Sequence, residues 1–410
     1  MSVPVTYNIR NLVERKGTTL MTAFGIGLTV AVLVTSLALT AGLKSVFTAS
    51  GDPRQILVLR NGADAELTST VSTDAYQIIR RLPGIATTAD GEPMVSPEGL
   101  TVVNLPSVDS PAGMNLTVRG LLPIGLSMRD IKIVDGKMFT PGLRQIIVGE
   151  STAKRYPNVQ IGKQIRFGKG LWEVVGVFRI GESANNSEIW CDLNQLRGDF
   201  ERQGGSSSLL VRLTDDEMHR SLDVMRDYAQ KHPKDKAPAP PAGTLMATID
   251  DDQRLNVATV GEKENFANMT SSGAPIEVLG FAVAVIMAIG SAFAATNTMY
   301  AAVARRTREI GTLRALGFGR WAILRSFMIE SVCLALIGGL VGVLIAFPVN
   351  GIQTGVGNFT TFTETAFKFK VTPGIVGWGL FFAAFIGALG GFLPAWAASR
   401  KNIVTAMRDL

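Results

Sequence analysis

The chain has 410 residues, a formal net charge of +6, two cysteines and two histidines. Apolar residues make up 47% of it and gather into long blocks, which indicates a membrane protein and argues against one large soluble core. Cys191 and Cys333 fall in different predicted compartments, so we expect no internal disulfide and no metal site. The positive charge is concentrated beside the apolar blocks, where it is a topology signal, and we expect no nucleic-acid partner.

Four apolar blocks are long enough to cross a bilayer, which takes about 20 residues. They predict membrane spans at residues 18–43, 276–302, 327–349 and 375–398. The first block follows a basic segment, as the apolar core of a cleaved secretory signal does. It is longer than such a core, so we expect a retained membrane anchor.

The basic residues predict the orientation of the four spans. Arginines and lysines precede the first span, separate the second from the third and follow the fourth. Four crossings place these three regions on one side, and short basic loops stay in the cytoplasm. We therefore expect cytoplasmic segments at residues 1–17, 303–326 and 399–410, and extracytoplasmic segments at residues 44–275 and 350–374.

The segment at residues 44–275 predicts an α+β domain that is long enough to bury its own core. A helix is expected to begin at Ser72 or Thr73 and to end at Pro83-Gly84. Alternating apolar residues and turn residues predict the other elements. These are strands at residues 55–60, 116–119, 145–148, 164–167 and 172–178 and short helices at residues 150–156 and 215–231.

The last part of this segment is polar. Residues 231–243 are rich in proline, lysine and alanine, which predicts an exposed loop that neither pairs as a strand nor runs as a helix. Residues 250–272 are interpreted as a helical stalk that leads into the second span.

Motifs of catalysis are missing from the sequence. It contains no G-x-x-x-x-G-K-[ST] loop to hold a nucleotide phosphate, and no H-E-x-x-H, C-x-x-C or G-x-S-x-G. Acidic runs such as residues 250–252 are interpreted as solvated turns or helix starts, and His219 and His232 as surface residues. The sequence therefore predicts that the chain is not an enzyme and binds no cofactor directly.

Two polar side chains within the predicted spans are candidates for a functional role. Glu330 lies near the start of the third span, where the helix dipole and Arg325 would stabilise a carboxylate. It is interpreted as an interfacial carboxylate or as a group that transmits motion. Asn297, in the second span, is expected to form a hydrogen bond across a helix contact, the alternative being that it lines a transport path.

Glycines repeat at helical spacing in the last two predicted spans. Gly338 and Gly342 share one face of the third span, and Gly387 and Gly391 share one face of the fourth. Because small residues four apart let helices approach closely, these glycines predict tight packing within the bundle or in a dimer.

The loop between the second and third spans contains a short amphipathic segment. Ile310, Leu313 and Leu316 recur at helical spacing, with charged residues on the other side, and Gly317 follows them. A generic basic loop would explain only the arginines. A helix that docks on a cytoplasmic partner also explains the apolar side, so we predict a docking helix that ends at Gly317.

Motifs along most of the chain resemble those of MacB/FtsX-type ABC transporter permeases. The resemblance to their permease domain lies in Asn297-Thr298-Met299, Arg306-Thr-Arg-Glu-Ile-Gly311, Arg314-Ala-Leu-Gly317, Glu330 and Gly338-Gly339-x-x-Gly342. The long segment resembles a MacB-like periplasmic core domain in Gly136-Lys-Met-Phe139, Ile146-Ile-Val-Gly149, Ile161-Gly-Lys163 and Val174-Val-Gly-Val177.

This resemblance implies an α-helical protein of the bacterial inner (plasma) membrane, with four transmembrane helices and a large α+β extracytoplasmic domain between helices 1 and 2. Such a permease works as a dimer, with a second copy or a paralogue, and docks on cytoplasmic ABC ATPase subunits that would bind ATP and Mg²⁺. In MacB the ATPase is fused at the N-terminus, whereas this chain reaches its first span within 20 residues, so we expect a separate ATPase polypeptide. By position, the ATPase-coupling helix would comprise Arg308, Glu309, Ile310, Leu313, Arg314, Ala315, Leu316 and Gly317.

The few spans carry little polarity and leave no obvious aqueous channel. We therefore expect mechanotransmission, in which ATP hydrolysis moves the outer domain, for efflux or export of a hydrophobic compound, a peptide or a lipid-linked substrate. A periplasmic adaptor (membrane-fusion protein) and an outer-membrane component would be further partners. The alternatives are a lipoprotein-releasing permease, an FtsX-like activator of an envelope hydrolase and, from another class, a membrane-anchored sensor or scaffold without an ATPase.

Overall fold

The computed structural model describes residues 16–108, 110–201, 204–231, 243–269, 274–357 and 363–400. The chain forms two compact units. One, here called the outer domain, comprises Leu43–Ser272 and Gln353–Phe367. The other, here called the helical unit, comprises Met1–Gly42, Gly273–Ile352 and Lys368–Leu410.

The outer domain is built on a mixed sheet of ten strands. Helix α1 (Lys16–Ala49) precedes the first strand in the chain. In chain order the strands are β1 (Gln55–Arg60), β2 (Val71–Ser72), β3 (Val95–Leu105), β4 (Met114–Leu121), β5 (Lys132–Gly136), β6 (Gln145–Gly149), β7 (Gln164–Phe167), β8 (Gly170–Arg179), β9 (Ile189–Asp192), β10 (Gly205–Ser206), β11 (Ser208–Arg212) and β12 (Val257–Gly261).

The order across the large sheet is β12-β1-β11-β3-β4-β9-β6-β8-β5, with β7 paired to β8, while β2 and β10 pair separately. The β4–β9 and β6–β8 pairs are parallel, and the other described pairs of this sheet are antiparallel. One apolar cluster contains Ile56 and Leu209, and another contains Leu116, Ile146 and Trp172, all nearly inaccessible to solvent. These two clusters, and two smaller ones around Trp190 and Leu210, are built on the same sheet.

The described part of the outer domain also contains seven α-helices after α1. They are α2 (Thr73–Ile79), α3 (Pro123–Ser127), α4 (Glu150–Arg155), α5 (Leu193–Asp199), α6 (Asp215–Lys231), α7 (Leu245–Asp250) and α8 (Glu262–Met269). The predicted start of α2 is confirmed, since Ser72 Oγ accepts a hydrogen bond of 3.1 Å from the Ala75 N–H. The predicted end is wrong, because the helix stops at Ile79 and residues 80–82 continue as turns.

The predicted strands at residues 55–60 and 164–167 are confirmed with the same bounds as β1 and β7, and the predicted helix at residues 215–231 is confirmed as α6. The predicted helical stalk at residues 250–272 is wrong. Val257–Gly261 forms β12, which pairs with β1 before α8 begins. Its β-branched residues suit a strand, and the partner that completes it lies far away in the chain.

The Pro/Lys/Ala loop predicted at residues 231–243 lies almost wholly outside the described residues, as does His232.

The helical unit contains α9 (Ala274–Arg305), α10 (Thr307–Ala315), α11 (Arg320–Ala346) and α12 (Pro373–Arg400). Among the described helices, α1, α9, α11 and α12 are long and apolar enough to cross a membrane. The extracytoplasmic loop predicted at residues 350–374 holds two paired strands, β13 (Gln353–Gly357) and β14 (Glu364–Lys368). The segment Gln353–Phe367 packs as part of the outer domain, which its sequence did not reveal.

Candidate coupling site

The short helix α10 has well-defined ends. Arg306 lies between α9 and α10 with a non-helical backbone (φ −108°, ψ 18°), so the chain bends there. At the other end Gly317 adopts φ +92°, its N–H bonds to the Arg314 carbonyl and the Phe318 N–H bonds to the Leu313 carbonyl. This pattern of two backbone hydrogen bonds is a Schellman motif, in which glycine is preferred because the position requires a positive φ. Gly317 thus ends the helix, as its sequence predicted.

The apolar side of α10 packs against its own bundle. Ile310 is 2% exposed and lies in a cluster with Met299, Ile323 and Ala395, which come from α9, α11 and α12. The sequence places Ile310 in the predicted coupling helix, on its apolar docking side. In the structure this side chain is enclosed within the helical unit and does not face outwards. A short amphipathic helix buries its apolar residues against the nearest apolar surface first.

The predicted coupling residues divide between a packed side and an open side of α10. Leu313 and Arg314 are half-buried. Leu316 is 67% exposed. We name the open side the coupling surface; its residues Arg308, Glu309, Thr312, Ala315, Leu316 and Gly317 are exposed in the single chain.

Trp321 stands near this surface in sequence and was missed. It is the second residue of α11 and is 73% exposed. A large aromatic residue two positions after the Gly317-Phe318-Gly319 turn was the available signal, since an exposed aromatic side chain marks a candidate contact.

Arg314 connects α10 to the end of α12. Its Nη1 lies 3.5 Å from the carbonyl oxygen of Ser399, which is in the last turn of α12. Carbonyls in the last turn of a helix lack partners within the helix, and a cation satisfies them. Arg314 is therefore better placed to hold α10 in position than to contact a partner.

A buried ion pair joins the bend before α10 to α11. Arg306 Nη1 lies 2.9 Å from Glu330 Oε2 and 3.2 Å from Oε1, and the two side chains are 5% and 7% exposed. The expectation that Arg325 and the helix start stabilise Glu330 is wrong. Arg325 is exposed, and Glu330 lies in the third turn of α11, because that helix begins at Arg320.

Asn297 does not occupy the predicted position at a helix contact. Its side chain is exposed, whereas Thr296 Oγ1 donates to the Gly390 carbonyl at 2.9 Å and Thr298 Oγ1 accepts from Thr22 Oγ1 at 3.1 Å. Each step along a helix rotates the side chain by about 100°. At this point of α9, the polar links to other spans therefore come from the two neighbours of Asn297.

The glycines in α11 and α12 lie at close helix contacts. A Cβ atom at Gly338 would come within 2.6 Å of the Ala23 carbonyl of α1, and one at Gly342 would collide with the Gly27 carbonyl. In α12, Gly387 and Gly391 face α11, where a Cβ atom would lie 2.5 Å from Ala335 Cβ and from Ser331 Cβ, respectively. These contacts require glycine for steric reasons.

A buried ionic cluster in the outer domain was not predicted. Arg119 contacts Glu66, Glu98 and Glu188 at 2.7–2.9 Å, and Arg129 also contacts Glu98 at 2.7 Å. Burial lowers the pKa of Arg119, but the surrounding carboxylates outweigh it and hold the pKa well above its usual value. Burial likewise raises the pKa of Glu66, and Arg119 brings it below the usual value. Both side chains are therefore charged.

Within the described residues, no group of three or more His, Cys, Asp or Glu side chains is arranged to hold a metal ion.

Comparison with known proteins identifies both parts of the chain. Residues 19–221 match the family described as MacB-like periplasmic core domain, and residues 281–403 match the family described as FtsX-like permease C-terminal. The first match covers α1 and most of the outer domain, and the second covers the last three candidate spans.

Relatives cover different shares of the chain. The uncharacterized ABC transporter permease YknZ of Bacillus subtilis is 26% identical over 314 residues, which are 71% of this chain and 70% of YknZ. The macrolide export ATP-binding/permease protein MacB of Chromobacterium violaceum is 24% identical over 343 residues, 80% of this chain and 48% of that protein. The chain thus spans about half the length of this MacB protein.

The crystal structure of the periplasmic region of MacB from Actinobacillus actinomycetemcomitans covers 52% of this chain and 90% of that region, with 12% identity and a TM-score of 0.34. The two family matches and the four long apolar helices agree on one assignment. The chain combines a MacB-like periplasmic core domain with an FtsX-like permease domain and belongs to the MacB/FtsX-type ABC transporter permeases.

Proposed function

We propose that this chain is the permease subunit of a bacterial ABC complex in which a separate cytoplasmic ATPase moves the outer domain by mechanotransmission. The observation that carries the proposal is how α10 is fastened to the helical unit. Ile310 packs against α9, α11 and α12, Arg306 pairs with Glu330, and Arg314 reaches the end of α12. A force on the coupling surface would therefore be passed to three spans at once.

The partner of the coupling surface would be the ATPase, which would bind ATP and Mg²⁺. The sequence of this chain holds no phosphate-binding loop of its own. Arg305, Arg308, Arg320 and Arg325 are exposed around α10, which supports a cytoplasmic position for this loop and for both termini.

A second permease chain, either a copy or a paralogue, would pack along α9. Of the four candidate spans, α9 is the least covered by the chain's own residues. It also presents Asn297 on its exposed side, and an amide within a membrane is better satisfied by a protein neighbour than by lipid.

The task would be efflux or export of a hydrophobic compound, peptide or lipid-linked substrate. The tight glycine contacts between α11 and α12 leave little room for an aqueous path, which supports mechanotransmission over alternating access. The relative from Chromobacterium violaceum is described as a macrolide export protein, which supports export. A periplasmic adaptor and an outer-membrane component would extend the path.

The proposal is tested by Leu316→Asp, with the same change at Leu222 as a matched control. Leu316 lies on the coupling surface, whereas Leu222 is a 49% exposed leucine on α6 of the outer domain. The tagged full chain is purified from native membranes, and vanadate-sensitive ATP hydrolysis is measured in the purified complex. We expect the wild type and the Leu222 variant to retain this activity and the Leu316 variant to lose at least 90% of it.

All three proteins must reach the membrane in equal amounts for this comparison. Full retention of ATPase activity by the Leu316 variant would show that α10 is not the coupling helix. Absence of the activity from the wild-type complex would favour the sensor or scaffold instead.

A further inference from the structure

The strands β13 and β14 form a hairpin inserted in the chain between α11 and α12, and a buried carboxylate fixes it within the outer domain. Glu364, the first residue of β14, is 5% exposed. Its Oε1 lies 2.5 Å from Arg155 Nη1, and its Oε2 accepts a short hydrogen bond from the Tyr156 hydroxyl. Arg155 and Tyr156 are themselves buried, at the end of α4.

Two further contacts support this attachment. The Ala366 N–H donates to Ser187 Oγ at 2.9 Å, so the backbone of β14 is also held. Gly355 of β13 lies over the ion pair, where a Cβ atom would collide with the Glu364 carboxylate and the Arg155 guanidinium. Both strands of the hairpin are therefore fitted to the same charged pair.

Within the outer domain, the hairpin lies beside the end of α1 and beside α8, around one small cavity. Phe47 at the end of α1 and Phe266 in α8 line a cavity of about 50 Å³ together with residues 363–365 and with Arg119 and Glu188 of the buried ionic cluster. All of these residues belong to the outer domain. Pockets for small-molecule ligands measure about 300 Å³ or more, so this cavity is a packing junction and not a substrate site.

We infer that the β13–β14 hairpin is a strap, pinned by Glu364, through which movement of α11 and α12 is passed to the outer domain. This inference rests on the proposed mechanotransmission. A flexible loop between two spans would transmit little force. A hairpin held by a buried charge pair transmits force, because pulling the hairpin away from the outer domain would separate the two buried charges, which is strongly unfavourable. The outer domain is then driven through α11 and α12 as well as through α1 and α9.

The first measurement tests the pin in the isolated full-length permease in lipid nanodiscs. Hydrogen exchange is followed in peptides that contain residues 363–367 for Glu364→Gln and for Gly355→Ala. The matched control is Lys368→Gln, an exposed residue on the same strand. We expect exchange of the Ala366 amide to accelerate at least tenfold in both test variants and to stay unchanged in the control.

Unchanged exchange in both test variants would overturn the inference, since the pair would not hold the hairpin. Loss of protection throughout β4 and β6 would overturn it too, because the pair would then support the sheet as a whole.

The second measurement uses the permease purified with its ATPase. In the wild-type complex, ATP with vanadate should change hydrogen exchange in the outer domain. In Glu364→Gln this change should shrink at least fivefold, while ATPase co-purification stays as in the wild type. A freed hairpin with an undiminished response would overturn the strap and leave the proposed function intact. No response in the wild-type complex would overturn the proposed function, and the strap with it.

Discussion

The Arg306 guanidinium and the Glu330 carboxylate form a buried ion pair at 2.9 Å that joins the bend before α10 to the third turn of α11. A charge buried beside a membrane-spanning helix is stable only with its partner. Because the pair lies directly before α10, it fixes the direction in which this helix leaves α9. The pair thus connects the coupling surface to a span without being part of that surface.

Removing either partner of this pair should destabilise the helical unit strongly. We expect Arg306→Met and Glu330→Leu each to lower the free energy of unfolding by about 3–5 kcal/mol, because each removes one side of a buried ion pair. The double variant should recover most of this loss, since two apolar side chains replace the pair. The unfolding temperature of the full chain in detergent measures these effects.

Arg325→Met serves as the control for this experiment, because Arg325 is exposed and is not the partner of Glu330 in the structure. It should unfold like the wild type. A double variant as unstable as the sum of the single variants would show that the two side chains do not interact.

Ile310 and Leu316 should separate stability from coupling, although both were predicted on one face. Ile310→Ala should lower the free energy of unfolding by about 2–5 kcal/mol, because it opens a cavity among α9, α11 and α12. Leu316→Ala should change it by less than about 0.5 kcal/mol, because the side chain is exposed. Thermal unfolding in detergent gives both values, and equal losses would contradict the orientation of α10.

Local patterns in the sequence were enough to predict several elements. A short apolar run flanked by polar residues predicted the bounds of β1, helical spacing and an acidic first turn predicted α6, and Gly317 marked the end of α10. Each of these signals depends on residues within one turn or strand. The resemblance to the family could also be recognised from the sequence, because its motifs consist of consecutive residues.

The contacts that hold α10 in place were not predictable in the same way. Glu330 finds its partner 24 residues earlier, and one of the three helices around Ile310, α12, is distant in the chain. Asn297 differs from Thr296 by a single helical step, yet only Thr296 faces α12. Helical spacing shows that one side of a helix is apolar, but it does not show whether that side meets its own bundle or a partner.

Two glycines of α12 should respond in opposite directions to substitution by alanine. At Gly387 the new Cβ atom would lie 2.5 Å from Ala335 Cβ, whereas at Gly377 nothing beyond the adjacent backbone of the same helix lies within 4 Å. We expect Gly387→Ala to destabilise the helical unit by about 1–3 kcal/mol through overpacking. Gly377→Ala should be neutral or should stabilise it by up to about 1 kcal/mol, because alanine favours a helix.

The unfolding temperatures of the two alanine variants in the same detergent test this prediction. If Gly387→Ala were as stable as Gly377→Ala, α11 and α12 would not be in close contact at this position.

Glu262 should make the stability of the outer domain depend on pH. Burial raises its pKa above the usual value, and the attraction of Arg129 and the hydrogen bond from the Asp52 N–H, 2.8 Å long, offset this only in part. A carboxyl group with a raised folded-state pKa favours folding most below its unfolded pKa of about 4.3, and this contribution is lost as pH rises through the folded pKa. Glu262→Gln should therefore be more stable than the wild type at pH 8 and equal to it at pH 4.

Hydrogen exchange of the β1 and β12 amides in the full chain measures this difference, because α8 directly follows β12. Glutamine keeps a side-chain oxygen that can accept the Asp52 N–H, so the substitution removes the charge and retains the contact. Glu264→Gln is the matched control, since Glu264 is exposed on the same helix, and it should match the wild type at both pH values. Greater stability of Glu262→Gln at pH 4 than at pH 8, each relative to the wild type, would contradict a raised pKa at this position.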